Sequence, residues 1–321
     1  MQRIDKKIED SLKKIELIYN IITEKFFGQK KIVEQVLVSI LSSGNTLIVG
    51  VPGLGKTLLF KTLSESLNLE SKRVQCTPDL MPFDIIGTEI LSSKDIKKFS
   101  FIKGPIFCQI LMVDEINRAS PRTQSALLQA MQEGFITVNG KNFELPKPFI
   151  VLATENPIEQ EGTYNLPEAQ LDRFLMQINI SYPEIETEKK ILLGLSNEKK
   201  SSYNFQSEDL LELIKTINEL PVGESVLSFV LQLIRNLRPE SSKFDFIKKY
   251  IKWGPGPRGG QALLKASKAR ALLRGNLSPS ISDAIALAQP TLRHRISLTF
   301  EAKTEDLTTD YLIKKVCDDL N

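Results

Sequence analysis

Short, unbroken apolar runs recur at intervals through the first half of the chain. The clearest runs cover residues 46–50, 106–113 and 149–153, and weaker ones cover 74–76 and 175–180. A strand that is buried on both faces of a parallel sheet shows no polar alternation, so runs of this kind predict interior parallel strands.

Segments with helical periodicity separate these runs. Residues 56–67 place leucines four positions apart, which puts one apolar stripe along a helix. A second helix is predicted from Ser120, whose hydroxyl can cap the first turn, to just before Gly134. The alternation of strands and helices predicts an α/β domain with a doubly wound parallel sheet.

The pattern changes after about residue 182, where apolar runs stop and helical periods follow. Proline and glycine close most of these periods, as expected at helix ends. We therefore expect an α/β domain over 1–182 and a small all-α domain over 183–321. The predicted helices of the second domain cover about 209–220, 224–237, 243–253, 258–274 and 278–293.

Two insertions interrupt the α/β pattern. Residues 135–145 alternate on either side of Asn139-Gly140, the strongest short signal for a β-hairpin. Residues 84–101 form a polar, lysine-containing excursion that is too long for an ordinary connection between strands. Long insertions of this kind are often functional.

Composition excludes several classes of protein. The 321 residues are 41% hydrophobic and 25% charged, which rules out collagen-like, disulfide-scaffold and disordered chains. A net charge of +3 is too small to indicate a nucleic-acid or membrane partner. The charged start of the chain, and the lack of an apolar stretch near the ~20 residues of a membrane span, lead us to expect a cytoplasmic protein without membrane insertion.

The rare and basic residues add further exclusions. The three cysteines lack metal-ligand spacing, and the single histidine, His294, makes a histidine-dependent nucleophile improbable. His294 lies between two arginines and is interpreted as structural or solvated. A lysine- and arginine-containing stretch on the helix at 258–274 is interpreted as a solvated face rather than a DNA-binding one; its residues are Lys265, Lys268, Arg270 and Arg274.

A phosphate-binding motif follows the first apolar run. Residues 50–57 fit the pattern G-x-x-x-x-G-K-[ST] between a predicted strand and a predicted helix. Lys56 is expected to reach the β- and γ-phosphates, and Thr57 to bind Mg²⁺. The predicted nucleotide contacts of this loop are Gly50, Pro52, Gly53, Leu54, Gly55, Lys56, Thr57 and Leu58.

Two acids end the apolar run at 106–113. Parallel strands present their carboxyl ends at one edge of the sheet, so Asp114 and Glu115 are expected beside the phosphate loop. We expect Asp114 to hold Mg²⁺ through water and Glu115 to act as general base toward an attacking water. The alternative is that the two acids cap a helix.

Three further polar residues stand at element ends. Asn156 follows the strand predicted at 149–153, where it can contact the γ-phosphate or the water, although asparagine before proline is also a common turn. Arg173 ends a short helix, either as a catalytic cation or as a surface ion pair with Asp172. Arg258 begins a helix, where a cation opposes the helix dipole and an anionic ligand would account for it.

These motifs identify a resemblance to the MoxR family of AAA+ ATPases that covers nearly all of the chain. The most specific stretches are 50–57, 113–133, 153–157, 162–174 and 254–258. The resemblance implies a P-loop α/β domain with a helical lid, ATP/ADP and Mg²⁺ as ligands, and assembly into a ring, usually a hexamer.

The resemblance also assigns roles to individual residues. It implies that Asn156 is sensor 1, Arg173 the arginine finger and Arg258 sensor 2, and that Gly28-Gln29 contacts adenine. Residues 84–101 would be the helix-2 insert and 135–145 the pre-sensor-1 hairpin. Two departures from the family pattern are Asn165, commonly proline, and Gly259-Gly260, where alanine is more usual and would start a helix more firmly.

The function implied is a Mg²⁺-dependent ATPase that remodels or matures a protein client, with von Willebrand factor A domain proteins suggested as clients. A nucleic-acid ring ATPase is an alternative that the modest charge disfavours. A nucleotide-gated scaffold with little turnover is disfavoured by the presence of both Glu115 and Arg173. A small-molecule P-loop kinase leaves the insert, the hairpin and the lid unexplained.

Overall fold

The computed structural model describes residues 2–26, 28–92, 95–159, 161–193 and 205–320. The chain forms two compact units. The sheet unit comprises residues 45–173 and 179–211, and the helical unit comprises 1–44, 174–178 and 212–321. The first 44 residues thus cluster with the C-terminal helices. The domain boundary that the sequence predicts near residue 182 stays a prediction.

The strands are short, and most of them belong to the sheet unit. In chain order they are β1 (Thr46–Val49), β2 (Ser71–Gln75), β3 (Gly87–Ser92), β4 (Asp95–Lys103), β5 (Ile110–Asp114), β6 (Phe135–Val138), β7 (Lys141–Glu144), β8 (Ile150–Glu155), β9 (Met176–Asn179), β10 (Ile251–Trp253) and β11 (Ser297–Leu298).

Helices carry the rest of the regular structure. They are α1 (Gln2–Lys25), α2 (Lys30–Leu41), α3 (Lys56–Ser66), α4 (Pro82–Ile86), α5 (Pro121–Glu133), α6 (Glu168–Leu171), α7 (Ile185–Leu192), α8 (Ser207–Glu219), α9 (Glu224–Asn236), α10 (Asp245–Tyr250), α11 (Pro257–Leu273), α12 (Ile281–Leu292), α13 (Phe300–Thr304) and α14 (Thr309–Leu320). Short 3₁₀ turns cover Ile116–Arg118 and Arg293–Arg295.

The main sheet has five strands in the order β2-β5-β8-β1-β9. The pairs β2–β5, β5–β8 and β1–β8 are parallel, and every residue of β5 is buried. The non-consecutive order requires crossover connections, which confirms the predicted doubly wound α/β fold. The interior position of β5 sets the place of Asp114, its last residue, and of Glu115, which follows it.

One predicted strand is shorter than its apolar run. Residues 106–113 are largely buried, yet the strand begins only at Ile110. Before it, Phe107 N–H donates to Gly104 O and Cys108 N–H donates to Ile106 O, so this part of the run turns instead of extending. Residues 106–108 are therefore apolar because the turn is buried, and not because they belong to the strand.

Both insertions of the sheet unit are hairpins. β6 and β7 form the hairpin that the sequence predicts, with Asn139 and Gly140 both at positive φ, as a type I′ turn requires. Within residues 84–101, β3 and β4 pair antiparallel. The two hairpins touch where Phe101 packs on Phe143 with ring centroids 4.4 Å apart.

The helical unit departs from its prediction in two places. The helix predicted at 243–253 ends at Tyr250, and β10 then pairs antiparallel with β11, so the expected absence of strands after residue 182 was wrong. Helices also continue beyond residue 293 as α13 and α14. Residues at helical spacing in α14 are buried; they are Leu312, Ile313, Val316 and Cys317.

No single helix among the described residues is long and apolar enough to cross a membrane. One pair, Ser207–Glu219 with Glu224–Asn236, meets the criteria of length and composition only when taken together, and it is bent by 89°.

A buried arginine ties three helices of the helical unit together. The side chain of Arg270 in α11 is 8% exposed and donates from Nη1 to Asp283 Oδ1 at 2.6 Å. Its Nε lies 2.9 Å from Glu34 Oε1 of α2. The interpretation of Arg270 as part of a solvated face was therefore wrong, because α2 and α12 both bring acids against that face.

We predict that Arg270→Met destabilises the protein by about 3–5 kcal/mol, because Asp283 and Glu34 lose a buried counter-ion. Arg274→Met is the matched control: Arg274 Nε lies 3.6 Å from the same Glu34, but the side chain is 55% exposed. We expect the control to cost less than ~1 kcal/mol. Urea denaturation measures both, and equal costs would contradict a special role for burial at Arg270.

Candidate functional site

The phosphate-loop motif forms a tight turn between β1 and α3. Gly53 and Gly55 have φ of 83° and 76°, the left-handed region that glycine adopts without strain. A Cβ on Gly50 would lie 2.8 Å from the carbonyl oxygen of Ile180, so a larger residue does not fit there. α3 begins at Lys56, which places the N-terminus of a helix at the end of the loop.

Lys56 is the cation of this loop. Its Nζ donates to the carbonyl oxygen of Gly50 at 2.7 Å. Partial burial lowers the pKa of Lys56, while the charges of Asp114, Glu115 and Glu155 act in the opposite direction. The predicted phosphate-binding lysine and the predicted acidic pair therefore lie within electrostatic reach of each other.

Asp114 ends β5 as a buried carboxylate with both oxygens engaged. Thr154 of the neighbouring β8 donates to Oδ1 at 3.1 Å, and Arg73 of the other neighbour, β2, donates from Nε to Oδ2 at 2.6 Å. Hydrogen bonds from both flanking strands fix the orientation of this side chain. Asp114 is thus an acidic side chain of fixed orientation at the carboxyl edge of the sheet.

Glu115 is held in an unusual backbone conformation. Its φ of 54° and ψ of 53° are left-handed, which costs a residue with a side chain about 1–2 kcal/mol. Its N–H donates to Thr154 Oγ1 at 3.0 Å, so one hydroxyl fixes both acids. Glu115 Oε2 accepts from Gln75 at 2.9 Å and from Arg118 at 3.2 Å. Backbone strain maintained in this way is typical of functional sites.

The end of β8 adds Glu155 and Asn156. Burial raises the pKa of Glu155, and the charge of Lys56 opposes that rise. Asn156 is 4% exposed, and its Oδ1 accepts from the N–H of Ile158 at 3.2 Å, which leaves its amide N–H₂ group able to donate. An open cavity of about 320 Å³ adjoins it, lined by Asn117, Glu155, Asn156, Pro157, Glu159, Thr163 and Asn165.

The residues present fit a magnesium–nucleotide complex. The described part of the chain contains no cluster of three or more His, Cys, Asp or Glu side chains that could hold a metal alone. Magnesium characteristically takes one or two protein ligands and completes its shell with water and substrate phosphates. Thr57, in the first turn of α3, and the fixed carboxylate of Asp114 supply such a set.

The other predicted site residues divide between the two units. Arg173 follows α6 in the sheet unit, is half-buried, and forms no ion pair with any residue that the structure describes. The adenine and sensor-2 candidates, Gly28, Gln29 and Arg258, belong to the helical unit. Their approach to the phosphate loop stays a prediction.

The glycines after Arg258 start a regular helix. α11 runs from Pro257 to Leu273 without interruption. A Cβ on Gly259 would lie 3.2 Å from Arg295 Cδ and 3.3 Å from Leu292 Cδ2, which is tight packing. The departure from alanine at Gly259 is explained by this close approach.

Sequence patterns alone did not identify the residues that fix the acidic pair. Arg73 and Gln75 alternate along the edge strand β2, and the register places Gln75 opposite Asp114. Thr154 lies one position beyond the registered pair Val113↔Ala153, beside Asp114 on β8. Arg73 is a diagonal neighbour of Asp114 on the same face of the sheet, and such a neighbour can be recognised only once the pairing of the strands is known. The polar residues at alternate positions of 71–75 were the available signal.

Two family models match separate regions of the chain. The model described as "ATPase family associated with various cellular activities (AAA)" matches residues 45–176. The model described as "AAA lid domain" matches residues 245–316. The first region carries the phosphate loop and the acids, and the second carries Arg258.

Named relatives and a solved structure resemble almost the whole chain. "Chaperone MoxR1" of Mycobacterium tuberculosis is 38% identical over 90% of this chain and 77% of the relative. YeaC of Bacillus subtilis is 37% identical over 92% of this chain and 90% of its own length. A crystal structure of a candidate ATPase from Cytophaga hutchinsonii is 34% identical, with a TM-score of 0.90 over 100% of this chain and 98% of that one.

We predict that the native protein resists thiol reagents at pH 8. Burial raises the pKa of Cys76, Cys108 and Cys317 each to about 12, with Asp114 contributing at Cys76. Only about one thiol in ten thousand is then a reactive thiolate at pH 8. A chromogenic disulfide should label none of the three thiols within minutes in buffer and all three in guanidinium. Rapid labelling of any native thiol would contradict the described burial.

Proposed function

The chain belongs to the MoxR family of AAA+ ATPases, and from this we propose that it is a Mg²⁺-dependent ATP hydrolase that works as a ring on a protein client. The observation that supports hydrolysis most directly is the fixed acidic pair beside the phosphate loop. Lys56, Asp114 and Glu115 interact electrostatically there, and Thr154 orders both acids.

The loop between β1 and α3 is proposed to bind the phosphates of ATP. The amides of this loop, the N-terminus of α3 and Lys56 present positive charge to the phosphates of ATP. Thr57 and Asp114 would hold Mg²⁺, which neutralises phosphate charge when bound. Lys56 exchanges its bond to the Gly50 carbonyl for phosphate oxygens as the nucleotide enters.

Glu115 and Asn156 are the residues that we assign to hydrolysis. A carboxylate accepts a proton from water in the transition state, so Glu115 is proposed as general base. Gln75 and Arg118 hold its Oε2, which leaves Oε1 to take the proton. The amide of Asn156, at the end of the adjacent β8, is proposed to orient the water or the γ-phosphate.

Arg173 is proposed to complete the site of a neighbouring subunit. A phosphoryl-transfer transition state spreads charge over the γ-oxygens, and an arginine there gives ~10³–10⁵ in rate. Arg173 is not used in an ion pair with the described residues of its own chain. We propose a hexameric ring in which Arg173 of one chain contacts the nucleotide bound to the phosphate loop of the next chain. Arg258 of the lid is proposed to contact the phosphates, and Gly28-Gln29 to contact adenine.

The purpose of the cycle is proposed to be remodelling of a protein client in the cytoplasm. The M. tuberculosis relative carries the name chaperone, and von Willebrand factor A domain proteins are the client class to test first. Three buried free thiols suit a reducing compartment. A nucleic-acid substrate is disfavoured by the net charge of +3.

We predict that Lys56→Ala abolishes ATP binding, because the phosphate loop loses its cation. Titration calorimetry with ATP and Mg²⁺ should show no heat of binding. Lys61→Ala, in the same helix but paired at the surface with Glu65 at 3.9 Å, should bind ATP like the wild type. ATP affinity that is unchanged in Lys56→Ala would remove Lys56 from the binding site.

We predict that Glu115→Gln binds ATP with wild-type affinity but lowers turnover by about 10²–10⁴-fold, since an amide cannot accept the proton of water. Phosphate release at saturating ATP measures the loss, and calorimetry measures the affinity. Glu133→Gln is the control, because Glu133 ends α5 with an exposed bond to Gln129. Wild-type turnover in Glu115→Gln would exclude it as the base.

A further inference from the structure

The peptide that follows Arg173 is held by two buried basic side chains. Arg295 is 1% exposed, and its Nη2 donates to the carbonyl oxygen of Phe174 at 2.7 Å. Its Nη1 donates to the carbonyl oxygens of Leu175, at 3.3 Å, and of Thr291. His294 Nε2 lies 3.1 Å from the same Phe174 oxygen. We call Arg295 and His294 together the carbonyl clasp.

The two side chains of the clasp both contact the Phe174 carbonyl oxygen. Burial, followed by the charges of Arg295 and Arg293, holds the pKa of His294 well below its ordinary value, so the ring is neutral. A neutral imidazole that faces a carbonyl oxygen must donate from the facing nitrogen. Two donors then bind the Phe174 oxygen, and the planar guanidinium of Arg295 fixes the direction of one of them.

Side-chain packing fixes the same peptide independently. Phe174 is fully buried. The side chain of Leu175 fills the space beside Gly44, where a Cβ would lie 2.4 Å from Leu175 Cδ2. Arg295 Cδ in turn lies against Gly259. All of these residues belong to the helical unit, so the segment after Arg173 is part of that unit's core.

We propose that Arg295, supported by His294, is a positioning residue for Arg173. One peptide bond joins Arg173 to a residue whose side chain is buried and whose carbonyl is clasped, so the clasp sets the point from which Arg173 extends. The helical unit of each chain thereby controls the arginine that the chain supplies to its neighbour. This inference rests on the proposed action of Arg173 on a neighbouring site.

Replacing the clasp should displace Arg173 without changing the nucleotide-binding loop. Lysine at position 295 keeps the charge but cannot donate two parallel bonds to carbonyls. A displacement near 1 Å of a catalytic group costs up to about 10²-fold in rate. We therefore expect Arg295→Lys to lower turnover about 10–100-fold, with a smaller change in ATP affinity because Arg295 also packs on Gly259, next to Arg258.

Mixed rings separate positioning from general damage. An Arg173→Ala chain has an intact phosphate loop but no arginine to supply. A Lys56→Ala chain has an inactive phosphate loop but an intact Arg173. Under subunit exchange the two inactive chains should together recover ATPase activity. Arg295→Lys is then added either to the Lys56→Ala chain, which supplies Arg173, or to the Arg173→Ala chain, which does not.

The proposal predicts an asymmetric result. Arg295→Lys in the Lys56→Ala chain should lower the recovered rate at least tenfold, and in the Arg173→Ala chain it should leave the rate within about twofold. His294→Leu should repeat the asymmetry more weakly, and serves if Arg295→Lys does not fold. Arg270→Lys is the control for a buried arginine of the same unit, and in the Lys56→Ala chain it should leave recovery unchanged. Native mass spectrometry verifies mixed-ring assembly.

Other outcomes overturn the proposal in distinguishable ways. Equal losses in both chains would make Arg295 a structural residue with no special relation to Arg173. Full recovery in both would show that Arg173 is positioned without it. No recovery in the parent mixture, in verified mixed rings, would overturn the action of Arg173 on a neighbouring site, and the inference with it.

Discussion

The burial of β5 between β2 and β8 is the constraint on which the site depends. The last residue of this strand, Asp114, and the next residue, Glu115, both carry carboxyl groups, and each group must be compensated or solvated. The flanking strands supply the compensation, with Arg73 from β2 and the Thr154 hydroxyl from β8. Register and chemistry are thus linked, because a shift of one residue in either strand would remove a partner of Asp114. The strained backbone of Glu115 is held by the same hydroxyl.

Two buried arginines organise the helical unit by different means. Arg270 meets the carboxylates of Glu34 and Asp283, and so joins α2, α11 and α12 through charge. Arg295 donates to the main-chain carbonyls of Phe174 and Leu175, and so joins the turn after α12 to the segment that directly follows Arg173. The guanidinium group suits both tasks because it carries several donors in a rigid plane. The first arrangement holds the unit together, and the second connects it to a proposed catalytic group.

The sequence predicted features encoded by local patterns and missed those created by pairing. The loop at 50–57, the acids at the end of β5 and the hairpin at Asn139-Gly140 depend on contiguous residues, so composition and spacing revealed them. The clasp of Arg295 on Phe174 joins residues 121 positions apart, and the bond between Arg73 and Asp114 joins residues 41 apart. The residues next to Arg295 and Arg73 in the sequence do not distinguish these arginines from arginines that are exposed to solvent. β10 was missed for the same reason, since only its pairing with β11 makes residues 251–253 a strand.

The central claim is that water attacks the γ-phosphorus of ATP at the site formed by Lys56, Asp114 and Glu115. Hydrolysis in ¹⁸O-enriched water, followed by mass spectrometry of the products, tests it directly. The account predicts Mg²⁺-dependent release of phosphate that carries one oxygen from solvent, with no label in ADP. Label in ADP, or consumption of ATP with the phosphoryl group on another acceptor and no labelled phosphate, would contradict it.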